Sequence, residues 1–129
     1  MKLVFDGGAI GNPGKGYGSF AYKGLVLRWP TRVSFPGITT NNQAEYQSLI
    51  AGLRAVLFDC QALGLPPARL RIAIRSDSQL VVNQINGTWK IKNAALRELH
   101  RQTRDLLDSF ADWDIVWHPR SESVRILGH

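Results

Sequence analysis

The sequence predicts an α/β domain built on a mixed five-stranded sheet, three antiparallel strands plus two parallel ones, flanked by helices. Three observations lead there. The first third alternates short apolar runs with glycine-rich connections, a spacing that suits an antiparallel meander. Beyond Gln43 the apolar residues recur every three or four positions, the period of a helix face. Two later strand-like runs are each reached only through helical stretches, which is the kind of connection parallel pairing requires. The predicted order is βββαβααβ.

The first strand covers residues 2–6, where Leu3, Val4 and Phe5 lead to Asp6, and the glycine-rich "GGAIGNPGKG" reads as the turn after it. "YGSFAYKG" and "LVLRWPTRVSF" read as two further strands joined tightly at Lys23-Gly24. From Gln43, the residues Tyr46, Leu49, Ile50, Leu53, Val56, Leu57, Cys60 and Leu63 mark an amphipathic helix of about five turns. "GLPP" stops it, because glycine permits a left-handed cap and proline cannot continue a helix. Residues 69–75 alternate as a strand, with Leu70, Ile72 and Ile74 on one side, and Asp77 follows closely. Leu80, Val81, Gln84 and Ile85 suggest a short helix ended by "NG". A second long helix runs through Leu96, Leu99, Thr103, Leu106, Leu107 and Phe110, and "WDIVWHP" is a last strand closed by Pro119.

At 129 residues the chain reads as one domain, 1–129, able to bury its own core. Its 44% hydrophobic and 20% charged residues are ordinary for a globular protein. No apolar run approaches the ~20 residues of a membrane span, and the N-terminus lacks a signal-peptide layout. The expectation is a cytoplasmic monomer with no membrane partner. Cys60, the single cysteine, reads as a small core residue rather than a nucleophile. Lys and Arg exceed Asp and Glu by 16 to 10, and the net charge of +6 is compatible with a polyanionic partner.

Two strands that end on an aspartate need an explanation, because a carboxylate is poorly placed beside a core. Taken singly, Asp77 could cap the next helix, Asp6 could organise the glycine turn, and Glu45, in the first turn of the first long helix, could complement its dipole. Taken together, the sheet brings Asp6 and Asp77 side by side at the carboxyl ends of parallel strands, where open sheets bind ligands, and the helix start brings in Glu45. Three converging carboxylates repel unless a cation sits among them. Oxygen ligands with room for water and phosphate suit Mg²⁺ or Mn²⁺.

With "FDGGAIGNPG", "TTNNQAEY" and "SDSQLVVNQINGTWKIKN" in this order, the chain resembles the type 1 ribonucleases H over nearly its whole length. The resemblance implies a ribonuclease H-like fold and a metal-dependent endonuclease that hydrolyses the RNA strand of an RNA–DNA hybrid with two divalent ions. Asp6 would bridge them, with Glu45 and Asp77 as the other ligands. Asn12, Asn41 and Asn42 would contact nucleic acid near the scissile position, where short amides suit a 2′-OH; for Asn12, turn formation is an equal reading. Thr40 is a phosphate-contact candidate. Trp89, Lys90 and Lys92 join an aromatic face to two cations, as nucleic-acid grooves do, or they are a core tryptophan with solvated lysines. Other partners and roles stay open: a nuclease on double-stranded RNA, or a binding module that does not cleave.

The family's usual motif after the last strand, R-E-x-N-x-x-A-D, meets "RSESVRIL" here. Arg120 matches, while Ser121, Ser123, Ile126 and Leu127 replace Glu, Asn, Ala and Asp. Glu122 from a shifted register, a three-ligand site, or a non-cleaving domain each account for the missing acid. His118 is a further nearby group, and His100 reads as solvated. No helix is expected after the last strand.

Overall fold

The meander is longer than its apolar runs. The computed structural model describes residues 1–128, and in it β1 (Lys2–Ile10) runs straight through Asp6 rather than ending there. Its partner β2 (Gly14–Lys23) stays in antiparallel register from Lys2↔Lys23 to Ile10↔Lys15. The expected turn at Gly7-Gly8 is therefore strand, and the chain reverses at residues 11–13. The glycine at position 7 serves close packing. A Cβ there would stand 2.5 Å from the Ala44 carbonyl oxygen, and one on Gly18, the cross-strand partner of Gly7, would stand 1.8 Å from Ser48 Oγ. The helix that carries Ala44 and Ser48 can rest on the sheet only because those two side chains are missing.

β3 (Arg28–Thr39) pairs antiparallel with β2, with register shifts between Lys15 and Gly16 and between Phe20 and Tyr22. Leu25, Val26 and Leu27 fall in the connection rather than in the strand, so the join at Lys23-Gly24 is looser than expected. β4 (Arg71–Ser76) lies parallel to β1, and β5 (Asp112–Trp117) lies parallel to β4. The sheet order is β3-β2-β1-β4-β5, with antiparallel and parallel halves meeting at β1.

α1 (Asn41–Ala62) starts at a capping box, in which Thr40 Oγ1 accepts from the Gln43 N–H and the Gln43 side chain accepts from the Thr40 N–H. Its apolar face lies on Leu3, Phe5, Phe20 and Tyr22 of the sheet. Each such side chain, fully buried, contributes about 1.5–3 kcal/mol. α2 (Gln79–Ile85) is capped by Ser78 and α3 (Ala94–Leu107) by Asn93. Cys60 is buried in this core as expected. Among the described residues no helix is long and apolar enough to cross a membrane.

After β5 the chain forms a further helix, α4 (Arg120–Leu127), ending at Gly128 in the left-handed region (φ 80°). This corrects the reading without a terminal helix. α4 covers the sheet face opposite α1, where Leu127 packs on Val4 and Ala21. Alternation along β1 explains the division: Leu3 and Phe5 face α1, whereas Val4 and Asp6 face the α4 side.

Candidate active site

Parallel pairing between β1 and β4 stops at Val4↔Arg75. Asp6, two residues on, thus lies where β1 still has β2 on one flank but has lost β4 on the other. Asp77 directly follows the last residue of β4. The position that open parallel sheets reserve for ligands is therefore occupied as expected, although Asp6 reaches it from mid-strand. Asp6 is 8% exposed, and its Oδ1 accepts from the Gly7 N–H at 2.9 Å.

Glu45 enters from the second turn of α1 rather than the expected first, because the helix already starts at Asn41 and its first turn holds no acid. Its Oε2 is buried without a hydrogen-bond partner. Burial, first, and then the negative charges of Asp6 and Asp77 push its carboxyl from the ordinary 4.5 up to about 9, against the opposing pull of the Gly7 N–H and Arg120. The three acids therefore feel one another. Among the described residues no group of three or more His, Cys, Asp or Glu side chains is set closely enough to hold a metal ion by itself.

Asp77 is held from α4. Ser123 Oγ donates to Asp77 Oδ1 at 3.1 Å, and His118 Nε2 lies 2.8 Å from Ser123 Oγ. Arg120 Nη1 stands 3.7 Å from Asp77 Oδ2, and the Trp117 indole donates to the Asp77 carbonyl at 3.2 Å. Burial lowers the His118 pKa, while Asp77 and Glu122 act to raise it. Sequence reasoning missed the Ser123 link. The available signal was Ser123 itself, a small donor standing where the family pattern has asparagine.

Glu122 is not brought to these acids. It forms an ion pair with Arg125 at 2.6 Å on the outer side of α4, and that hydrogen bond keeps its pKa below the usual carboxylate range. Leu127, at the place of the missing acid, is 3% exposed and packed among apolar neighbours. His100 is partly buried rather than solvated, and burial lowers its pKa.

Asn12 and Asn41 tie the β1–β2 turn to the start of α1. Asn12 Oδ1 accepts from the Asn41 N–H at 3.0 Å, and Asn41 Oδ1 accepts from the Ala9 N–H at 2.7 Å. Their oxygens thus organise the loop, as the turn reading of Asn12 has it. Asn42 is exposed at the same helix start. Thr40, the phosphate-contact candidate, is the N-cap, with its oxygen engaged at Gln43. Trp89 is 45% exposed, and Lys90 and Lys92 are exposed beside it, so Trp89 is no core residue. The loop that carries them is pinned to the core: Gln84 Nε2 donates to the Lys90 carbonyl at 3.4 Å, and Gln84 Oε1 accepts from the buried Tyr46 hydroxyl at 2.7 Å.

A sequence profile described as Reverse transcriptase-like matches residues 21–125. Ribonuclease HI of Halobacterium salinarum is 36% identical over 97% of this chain and 59% of its own length. A bifunctional protein of Mycobacterium tuberculosis is 39% identical over 96% of this chain and 33% of its own length. The chain thus spans between a third and three-fifths of these curated relatives. Among solved structures, the Halobacterium salinarum RNase H1 superimposes with a TM-score of 0.81 at 35% identity, covering 97% of this chain and 89% of that one. LC11-RNase H1, solved in complex with an RNA/DNA hybrid, gives 0.83 at 28% identity, covering 97% of this chain and 89% of its own. With a profile match over most of its length, relatives named as ribonucleases H and a close structural superposition on an RNase H1, the chain belongs to the ribonuclease H family.

Proposed function

We propose that this chain is a metal-dependent endoribonuclease that hydrolyses the RNA strand of RNA–DNA hybrids. One observation carries the reading: Glu45 Oε2 is a buried carboxylate oxygen without a hydrogen-bond partner, within electrostatic reach of Asp6 and Asp77. A buried, uncompensated carboxylate is costly, and a cation beside it removes both the desolvation penalty and the repulsion. The donors are all hard oxygens, which fits Mg²⁺ or Mn²⁺. Mg²⁺ is ordinarily held by one or two carboxylates together with water and substrate phosphate, so it does not need three protein ligands already in place.

Two such ions supply activation of the attacking water and stabilisation of the leaving 3′ oxygen. The side chains of this chain do the holding and orienting. Asp6, Glu45 and Asp77 would hold the ions, Asp6 from within a strand paired to β2 on one flank. Ser123 fixes the Asp77 carboxylate through Oδ1, which leaves Oδ2 toward Arg120 and the site. Asn12, Asn41 and Asn42 offer amide donors to a 2′-OH, and Thr40 sets the helix start that carries Glu45. Trp89, Lys90 and Lys92 take the neighbouring backbone of the duplex. The hybrid held by LC11-RNase H1 supports this substrate class.

A hybrid-binding module without cleavage is the second reading, favoured by the buried Leu127 where the family pattern has an acid. One assay separates them: incubate labelled RNA–DNA hybrid, duplex RNA and duplex DNA with Mg²⁺, Mn²⁺ or chelator. Divalent-dependent cleavage of the hybrid alone is expected. Cleavage of duplex RNA at equal rate would overturn the substrate, and binding of hybrid without cleavage under either metal would overturn the activity.

A further inference from the structure

The α4 side of the sheet carries a second feature, remote from the carboxylates. A cavity of about 180 Å³ is lined by Lys2, Val4, Ala21 and Lys23 of the β1–β2 pair, by Leu27–Pro30, and by Arg125 and Ile126 of α4. Lys2 and Lys23 stand directly opposite each other in the β1–β2 register. Like charges placed across a strand pair destabilise it unless an anion lies between them. Among the described residues neither lysine has an ion-pair partner, whereas the two arginines at this cavity do, Arg28 with Asp59 and Arg125 with Glu122. The wall beside the lysines is apolar and uncovered: Trp29 is 75% exposed and Leu27 60% exposed. Two cations without an ion pair, lining the same cavity as an exposed indole, match a phosphate joined to a base.

We propose that this groove binds single-stranded nucleic acid, with a backbone phosphate between Lys2 and Lys23 and a base stacked on Trp29. Lys2, Val4 and Asp6 share one face of β1, and at 3.3 Å per residue Lys2 lies roughly 13 Å along the strand from Asp6. An acidic peptide would answer the charges, but its carboxylates carry no ring for Trp29. The space available is that of a ring and a phosphate rather than a peptide segment. Binding here is separable from hydrolysis, because a DNA single strand needs neither metal nor cleavage.

The test measures anisotropy of a fluorescein-labelled oligothymidylate with the intact chain in EDTA, across a salt series. K2Q/K23Q, W29A and K90A/K92A are compared with wild type, and near-ultraviolet circular dichroism verifies each fold. W29A should weaken binding about tenfold, within the range seen for loss of one base–aromatic stack. K2Q/K23Q should weaken it similarly and make the log–log salt slope less steep by about 0.7, the contribution of one single-strand phosphate contact. Cleavage of a short blunt hybrid should stay at the wild-type rate in both, which keeps this site distinguishable from the catalytic one. Wild-type affinity in W29A and K2Q/K23Q, or loss confined to K90A/K92A, would overturn the site. Tighter binding of a polyglutamate peptide than of the oligonucleotide, abolished by K2Q/K23Q, would overturn the class of ligand.

Discussion

Glu45→Gln separates the catalytic cost of losing a carboxylate from its folding cost. In the folded chain without metal, burial and the Asp6 and Asp77 charges raise the Glu45 carboxyl from 4.5 to about 9. A raised acid favours the protonated folded state. Its penalty is absent below pH 4.5, grows as the pH rises, and is complete above about 9. At pH 7 the rise of this carboxyl from 4.5 to about 9 sets a ceiling of about 3 kcal/mol, against less than about 1 kcal/mol at pH 5. Relaxation around a partly accessible group reduces this to about 1–2 kcal/mol gained by the glutamine at pH 7. For a domain of this size that is roughly 4–8 °C in Tm. The assay is thermal unfolding of both proteins in chelator from pH 4.5 to 9, repeated with Mg²⁺. E45Q should match wild type at the acid end, exceed it increasingly toward pH 9, and lose hybrid cleavage. Mg²⁺ should raise the wild-type Tm and leave that of E45Q nearly unmoved. A constant Tm difference across the range, or a less stable E45Q at pH 8 than wild type, would refute the coupling of these acids.

Four further outcomes follow from the same geometry. Asp6→Asn and Asp77→Asn should each abolish divalent-dependent cleavage with circular dichroism unchanged; wild-type hydrolysis by either removes that residue from the metal site. Leu127→Asp should destabilise the fold by about 2–4 kcal/mol through lost packing on Val4 and Ala21. It should also raise activity in Mg²⁺ more than in Mn²⁺, whereas Glu122→Gln should change neither, so an inactive E122Q beside an L127D of unchanged activity would make Glu122 the substitute ligand. Ser123→Ala should lower kcat and weaken Mg²⁺ binding measured calorimetrically, with Ser123→Thr restoring both; an S123A protein with wild-type metal affinity would show that Asp77 needs no support from α4. Gly7→Ala should cost about 2 kcal/mol or more in urea unfolding, because its Cβ would stand 2.5 Å from the Ala44 carbonyl oxygen.

The long elements were legible because their periods are long. α1 and the β4 alternation repeat often enough for the pattern to exceed noise, and the two aspartates and Glu45 were recognisable from their places on those elements. Gly7 and Gly8 misled because glycine signals a turn locally, and only the helix above explains why a strand would lack side chains there. Leu25–Leu27 have strand composition, yet they leave the ladder at the loop after Gly24 and stay exposed or half-exposed. α4 was unreadable for the opposite reason: it has eight residues and no side-chain cap, so its stability comes from Leu127 on the sheet rather than from local signals. The grip of Ser123 on Asp77 spans 46 residues, and no local pattern encodes such a distance.

The continuation of β1 past Asp6 has a mechanical consequence. Asp6 is clamped by a ladder that extends four residues beyond it, whereas Glu45 hangs from the second turn of a helix and Asp77 from a strand-to-helix junction. Stiffness is therefore unequal among the three acids: one is a fixed post and two are adjustable arms. A centre of that kind can let Glu45 and Asp77 shift while Asp6 stays still with respect to the sheet. Native-state hydrogen exchange would see the same gradient, with the amides of Phe5–Gly7 opening only on global unfolding and those of Asp77–Gln79 opening far sooner.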